Sequence, residues 1–121
     1  MDTEHVLEDL IGPNDAMLSD VVRRIVQTVQ PGRIILFGSA ARGQMRHDSD
    51  LDLLVVKSGG YNRGLLLEDI YAALRGIACA ADIVVATPDD LVRYQHAHAL
   101  IYKPALSEGR VVYDAATVGA R

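Results

Sequence analysis

Two acidic residues stand at the head of an apolar strand. Asp50-Leu51-Asp52 opens the run Leu51 to Val56, closed by Ser58-Gly59-Gly60, which reads as a buried strand. Residues two apart on a strand point to the same face, so Asp50 and Asp52 project together. An earlier apolar run, Arg33 to Phe37, ends in Gly38-Ser39. If both features serve one site, the end of the first strand must meet the start of the second, and the two must run antiparallel. About a dozen residues join them, near the lower limit for a parallel crossover. A third run, Asp82 to Ala86, follows a helical stretch long enough to return it parallel to the second. Asp82 stands at its start and belongs beside the first pair. Three carboxylates converge at one sheet edge.

The remaining segments fill in an α/β arrangement. Val6, Leu7, Leu10 and Ile11 have helical spacing, with Thr3 as cap, and Gly12-Pro13-Asn14 breaks the pattern. That apolar face serves either internal packing or a partner. A second helix runs from Asp15 to Val29, with the stripe Leu18, Val21, Val22, Ile25, Val26 and Val29. Pro31-Gly32 ends it, and Ser39 to Gln44 suits one or two helical turns. Leu66, Leu67, Ile70, Tyr71, Leu74 and Ile77 predict a helix from Arg63 to Ile77. Thr87-Pro88-Asp89-Asp90 is a cap followed by proline at the first helical position. Helical sequence then runs toward Glu108-Gly109, with Pro104 as a candidate break. Arg110 to Tyr113 makes a last short strand, and a frayed tail is expected from Ala115.

Composition narrows the function classes. A chain of 121 residues, half of them hydrophobic, is the size of one small domain with a real core, here taken as 1–121. The lone Cys79 excludes an internal disulfide framework and a cysteine-rich zinc module, and the four histidines have no zinc spacing. His47 lies near the site loop, whereas Asp48 suits a turn. The formal charge of −4 argues against strong, nonspecific nucleic-acid binding. No apolar stretch approaches the roughly 20 residues that span a bilayer. The acidic start lacks the features of a signal peptide, so a soluble, cytoplasmic protein is expected.

The carboxylates define the chemistry. Two adjacent carboxylates repel unless a cation sits between them, and their hard oxygens suit Mg²⁺ or Mn²⁺. An isolated Asp-x-Asp is better read as solvated strand-edge charge; the neighbouring Gly-Ser and buried strand favour the metal. Gly38 permits close backbone approach to a ligand, and Ser39 opens a helical turn whose free N–H groups favour phosphate. Metals on Asp50 and Asp52 would neutralise a triphosphate, and Asp82 is placed to share a metal and act as general base toward a hydroxyl.

Gly38-Ser39, ten intervening residues, then Asp50-Leu51-Asp52 resembles the signature of the DNA polymerase beta-like nucleotidyltransferase superfamily. The fuller stretches Phe37 to Gly43 and Asp48 to Val55 resemble its minimal nucleotidyltransferase (MNT) branch. Ala81-Asp82-Ile83-Val84-Val85 is similar to that family's third-carboxylate strand, and Ser107 to Tyr113 to its closing segment. The resemblance spans Val21 to Tyr113.

That resemblance implies a nucleotidyltransferase fold, a small mixed β-sheet with helices packed on it, using Mg²⁺ and usually ATP. It implies that Gly38 and Ser39 hold triphosphate, with Arg42 touching phosphate. Asp50, Asp52 and Asp82 are then the catalytic, metal-binding triad. Many MNT proteins are antitoxins of HEPN-type RNase toxins, and some transfer AMP to a toxin tyrosine. The activity expected here is therefore Mg²⁺-dependent transfer of AMP from ATP to a partner's hydroxyl. The alternatives are an antitoxin that only masks its toxin, or a nucleotidyltransferase acting on a small molecule or RNA end. The oligomeric state stays open, a homo-oligomer included.

Overall fold

The computed structural model describes residues 16–38, 51–77, 80–94 and 109–116. The helix expected before Gly12, the turns expected from Ser39 to Gln44, His47, Cys79 and the helical run expected beyond Tyr94 lie outside the described residues. So do Ser39, Arg42 and Asp50 of the expected site.

Helix α1 spans Ala16–Val29. Its apolar residues recur every three or four positions, so one stripe faces inward: Leu18, Val21, Val22, Ile25, Val26 and Val29 are all buried. Asp20 pairs with Arg23 (2.6 Å) and Arg24 (3.6 Å) on the outer side. The helix closes at Gln30, which takes a left-handed conformation (φ 51°) and donates its N–H to Val26 O at 3.0 Å. Glycine usually fills that position.

Strand β1 spans Arg33–Phe37 and β2 spans Leu51–Val56. They pair antiparallel, with Arg33 opposite Val56 and Phe37 opposite Asp52. Helix α2, Arg63–Ala73, follows, capped by Asn62, whose side chain accepts from Leu65 N–H at 3.0 Å. Strand β3, Ala81–Ala86, then runs parallel to β2, as the crossover requires. Helix α3, Pro88–Tyr94, and strand β4, Arg110–Asp114, complete the described elements, and β4 pairs antiparallel with β1. The sheet order is β3-β2-β1-β4, a mixed four-stranded sheet.

The sheet carries a core on both faces. Alternation sends Ile34, Leu36, Leu51, Leu53, Val55, Ile83 and Val85 toward α1 and α2, and all are buried there. Ile35, Phe37, Leu54, Val56 and Ala86 form a second cluster on the other face, where Leu91 of α3 packs. The middle strands are thus apolar at consecutive positions, as strands covered on both sides must be.

Three expectations are corrected. The second long helix ends at Ala73, not Ile77. Beyond it the chain tightens into short-range turns, with Arg75 N–H on Ala72 O (3.3 Å) and Ile77 N–H on Leu74 O (3.2 Å), and Gly76 sits at φ 88°. Arg24 of α1 donates to the carbonyls of Ala73 (3.2 Å) and Arg75 (3.1 Å), answering orphan acceptors of the helix end. Leu74 and Ile77 still pack on the core, but Tyr71, assigned to the apolar stripe, is 45% exposed. Ala115 and Ala116, expected to begin a frayed tail, are held by hydrogen bonds. Ala115 donates to Gly32 O at 2.9 Å and Ala116 to Asp114 Oδ1 at 3.0 Å. Residues 117–121 lie outside the described set.

Candidate functional site

The backbone brings Gly38, Asp52 and Asp82 to one edge of the sheet. Phe37 stands opposite Asp52, so Gly38 leaves β1 at the point where β2 begins. Asp52 in turn lies beside Asp82 in the parallel β2–β3 register. The ladder extends one step beyond β3, because Leu51 N–H donates to Ala80 O at 2.9 Å. That bond fixes the start of β2 against the approach to β3. Asp52 alternates with buried Leu51 and Leu53, and so shares the face of Leu54 and Val56; Asp82 likewise shares the face of Val84 and Ala86. Both carboxylates therefore lie on the sheet face opposite α1 and α2, at the end away from α3. Asp52 is half-buried and Asp82 is exposed.

Gly38 completes the geometry. Its φ of 74° is a conformation side chains rarely adopt. A β-carbon placed on it would collide with Asp52 Oδ2, and would stand 3.2 Å from Cγ and 3.4 Å from Cβ of the same residue. The missing side chain therefore lets the backbone lie directly against the carboxylate. Among the described residues no group of three metal-ligating side chains occurs. Of the expected trio, Asp52 and Asp82 are brought together here.

A second polar cluster was only half visible in sequence. The cap expected at Thr87 forms, with Thr87 Oγ1 accepting from Asp90 N–H at 3.0 Å. Asp90 Oδ2 accepts in return from Thr87 N–H at 3.0 Å, completing a reciprocal box. The same carboxylate oxygen receives Arg63 of α2, which also donates to Val85 O at 3.3 Å. The Thr87 N–H holds the Asp90 carboxyl below the usual aspartate range; burial opposes this and the Arg63 guanidinium adds to it. The sequence signal for the box was Asp three residues after Thr. Nothing local pointed to Arg63.

A further contact links α2 to β3: the Tyr71 hydroxyl accepts from Ile83 N–H at 3.1 Å, immediately after Asp82. At the far end of the sheet an apolar cavity of about 410 Å³ opens between Arg33, Val56, Pro88 and Leu91. It lies away from the carboxylates and gives their chemistry no wall.

With this geometry in hand, the comparisons with known proteins are specific. Residues 21–117 match the family model "Polymerase beta, Nucleotidyltransferase". The chain belongs to that family and has the nucleotidyltransferase fold. Its fold resembles that of a toxin–antitoxin solved with AMP-PNP (TM-score 0.57, 17% identity, covering 84% of this chain and 73% of that one). It also resembles a mutant of the toxin–antitoxin MntA-HpeT (TM-score 0.57, 14% identity, covering 78% and 70%). A protein provisionally assigned as a minimal nucleotidyltransferase is 31% identical (TM-score 0.47, covering 85% and 92%). The comparison with curated proteins finds no match. Among the described residues no helix is long and apolar enough to cross a membrane.

Proposed function

We propose that this chain is a Mg²⁺-dependent nucleotidyltransferase that moves AMP from ATP to a hydroxyl of a partner protein, a tyrosine of a HEPN-type RNase toxin. The observation that carries the reading is the juxtaposition of Gly38, Asp52 and Asp82 at the β1–β2–β3 edge. A backbone lying flush against one carboxylate, with a second carboxylate in the next strand, suits a polyphosphate bridged to its protein by a cation. The carboxylate oxygens are the hard donors that Mg²⁺ or Mn²⁺ prefers. Asp50, Asp52 and Asp82 would hold the metal, which when bound neutralises charge on the triphosphate.

Each of the chain's own residues then has a task. Gly38, with Ser39, brings backbone N–H groups to the triphosphate, and Arg42 adds a cation. Asp82 accepts the proton of the incoming hydroxyl. The hydroxyl oxygen forms a bond to the α-phosphorus as the bond to the bridging oxygen breaks, and pyrophosphate leaves. ATP as donor and a toxin as acceptor are supported by the fold's likeness to a toxin–antitoxin solved with AMP-PNP.

The test is incubation of the chain with its HEPN-type partner, Mg²⁺ and α-labelled ATP, with Asp52→Ala in parallel. Intact mass should show the partner gaining one or more AMP groups, and Asp52→Ala should abolish the gain. A stable complex that blocks the RNase without any mass gain would replace this reading with a masking antitoxin.

A further inference from the structure

Strand β3 is an edge of the described sheet, and an edge strand has a neighbour on one side only. Ala80 and Ala86 turn their carbonyls toward β2, where they accept from Leu51 and Lys57 N–H, each at 2.9 Å. Residues alternate along a parallel ladder, so Ile83 and Val85 turn their backbone groups outward. The β2 ladder therefore holds the backbone groups of Asp82 and leaves the outward N–H of Ile83 to be held by something else.

That peptide is held by Tyr71. The hydroxyl accepts from Ile83 N–H at 3.1 Å, so the Asp82–Ile83 peptide is pinned from the outer side. Two residues further along, Arg63 does the same for Val85 O at 3.3 Å. Tyr71 is 45% exposed, so its ring adds little to the core. Its placement is explained by the hydroxyl's bond, not by apolar packing. Resting on the reading that Asp82 serves the metal site, we propose that Tyr71 is a positioning residue: its hydroxyl fixes the backbone at Asp82 and holds that carboxylate in line with Asp52.

The hydroxyl acts through the backbone, so its loss should weaken cation binding while leaving the fold intact. Water can replace it at Ile83 N–H, because Tyr71 lies at the surface, and Tyr71→Phe should fold normally. The experiment titrates the full chain with Mn²⁺, read by electron paramagnetic resonance, in the presence of an ATP analogue that cannot be cleaved between the α- and β-phosphates. Tyr71→Phe, Asp82→Asn and Arg63→Gln are compared with the unmodified chain. Removing an outer-shell support typically weakens metal binding by about tenfold or more, and about tenfold is expected for Tyr71→Phe. Asp82→Asn should weaken binding at least as much. Arg63→Gln loosens the same edge beyond Asp82 and should lower the melting temperature with Mn²⁺ affinity unchanged. If Asp82→Asn weakens binding and Tyr71→Phe does not, the positioning role is overturned while the triad stands. Equal weakening by Arg63→Gln and Tyr71→Phe would also overturn it, as general loosening. Unchanged affinity in Asp82→Asn would remove Asp82 from the metal site and the inference with it.

Discussion

The backbone of Gly38 rests against the side chain of Asp52, so closely that a β-carbon at Gly38 would stand 3.2 Å from Asp52 Cγ and strike Oδ2. Two independent constraints thus select glycine: the contact and the φ of 74°. Gly38→Ala should cost about 1–3 kcal/mol for the forced conformation alone. Relief of the collision must move the Asp52 carboxylate, and misplacing a catalytic group by about 1 Å can cost roughly a hundredfold in rate. We expect Gly38→Ala to remain folded by circular dichroism and to lose about a hundredfold of AMP transfer. Near-normal transfer would show that the Gly38–Asp52 contact has no bearing on the chemistry.

Asp52 and Asp82 lie side by side in adjacent strands, two like charges in register. Facing like charges destabilise a sheet by roughly 0.2–1 kcal/mol. In the presence of a chelator, Asp52→Asn should therefore melt at or slightly above the unmodified chain. With Mg²⁺ and ATP the order should reverse. A ligand at about a hundred times its dissociation constant stabilises the native state by about 2.7 kcal/mol, which the variant would forgo. Thermal melts with and without Mg²⁺–ATP check both halves.

Much of this was legible because burial imposes period. The stripe from Leu18 to Val29 and the strand Leu51–Val56 follow directly from repeating apolar positions, and all of those stripe residues are buried. The antiparallel β1–β2 and parallel β2–β3 pairings followed from connection length and from requiring Gly38, Asp52 and Asp82 to meet. Periodicity is blind to hydrogen-bonding needs. It placed Tyr71 in the apolar stripe, whereas the hydroxyl reaches Ile83 N–H and leaves the ring half exposed. It also carried α2 on through Leu74 and Ile77, both apolar and both packed on the core, although Gly76 between them was the stop signal. The register shift between Ile34 and Ile35, the left-handed Gln30 and the Arg63–Asp90 pair join features no local pattern encodes.

Leu53 is fully buried on the helix-facing side of β2, directly after Asp52. Truncation to alanine leaves a cavity between the sheet and α1 that the surrounding side chains fill only in part. Leu53→Ala should cost about 2–5 kcal/mol by denaturant unfolding. Val92 of α3 is 68% exposed, and Val92→Ala should stay within about 0.5 kcal/mol of the unmodified chain. A comparable loss from both would mean that the core does not lie between α1 and the sheet.

The Thr87–Asp90–Arg63 cluster ties α2, β3 and α3 together and makes stability depend on acid. Asp90 is nearly buried, and its carboxyl is held below the ordinary aspartate range, first by Thr87 N–H and then by Arg63, against burial. A carboxyl with a lowered folded-state pKa stabilises the fold while it is ionised. That contribution is complete above the unfolded value, about 3.9, and is lost as pH falls through the lower folded value. Asp90→Asn keeps the shape but removes the charge; the cap weakens and Arg63 loses its anion. Loss of a helix cap costs about 0.5–2 kcal/mol, and an ion pair with one half-exposed partner adds up to about 1 kcal/mol. At pH 7 Asp90→Asn should therefore be less stable by about 1–2 kcal/mol. The gap between variant and unmodified chain should narrow as pH falls below about 4, where the unfolded chain's Asp90 takes up a proton while the folded carboxylate still resists it. Urea unfolding from pH 7 to pH 3 measures that gap, and a gap that stayed constant with pH would show that the Asp90 charge contributes nothing to holding α3 on the sheet.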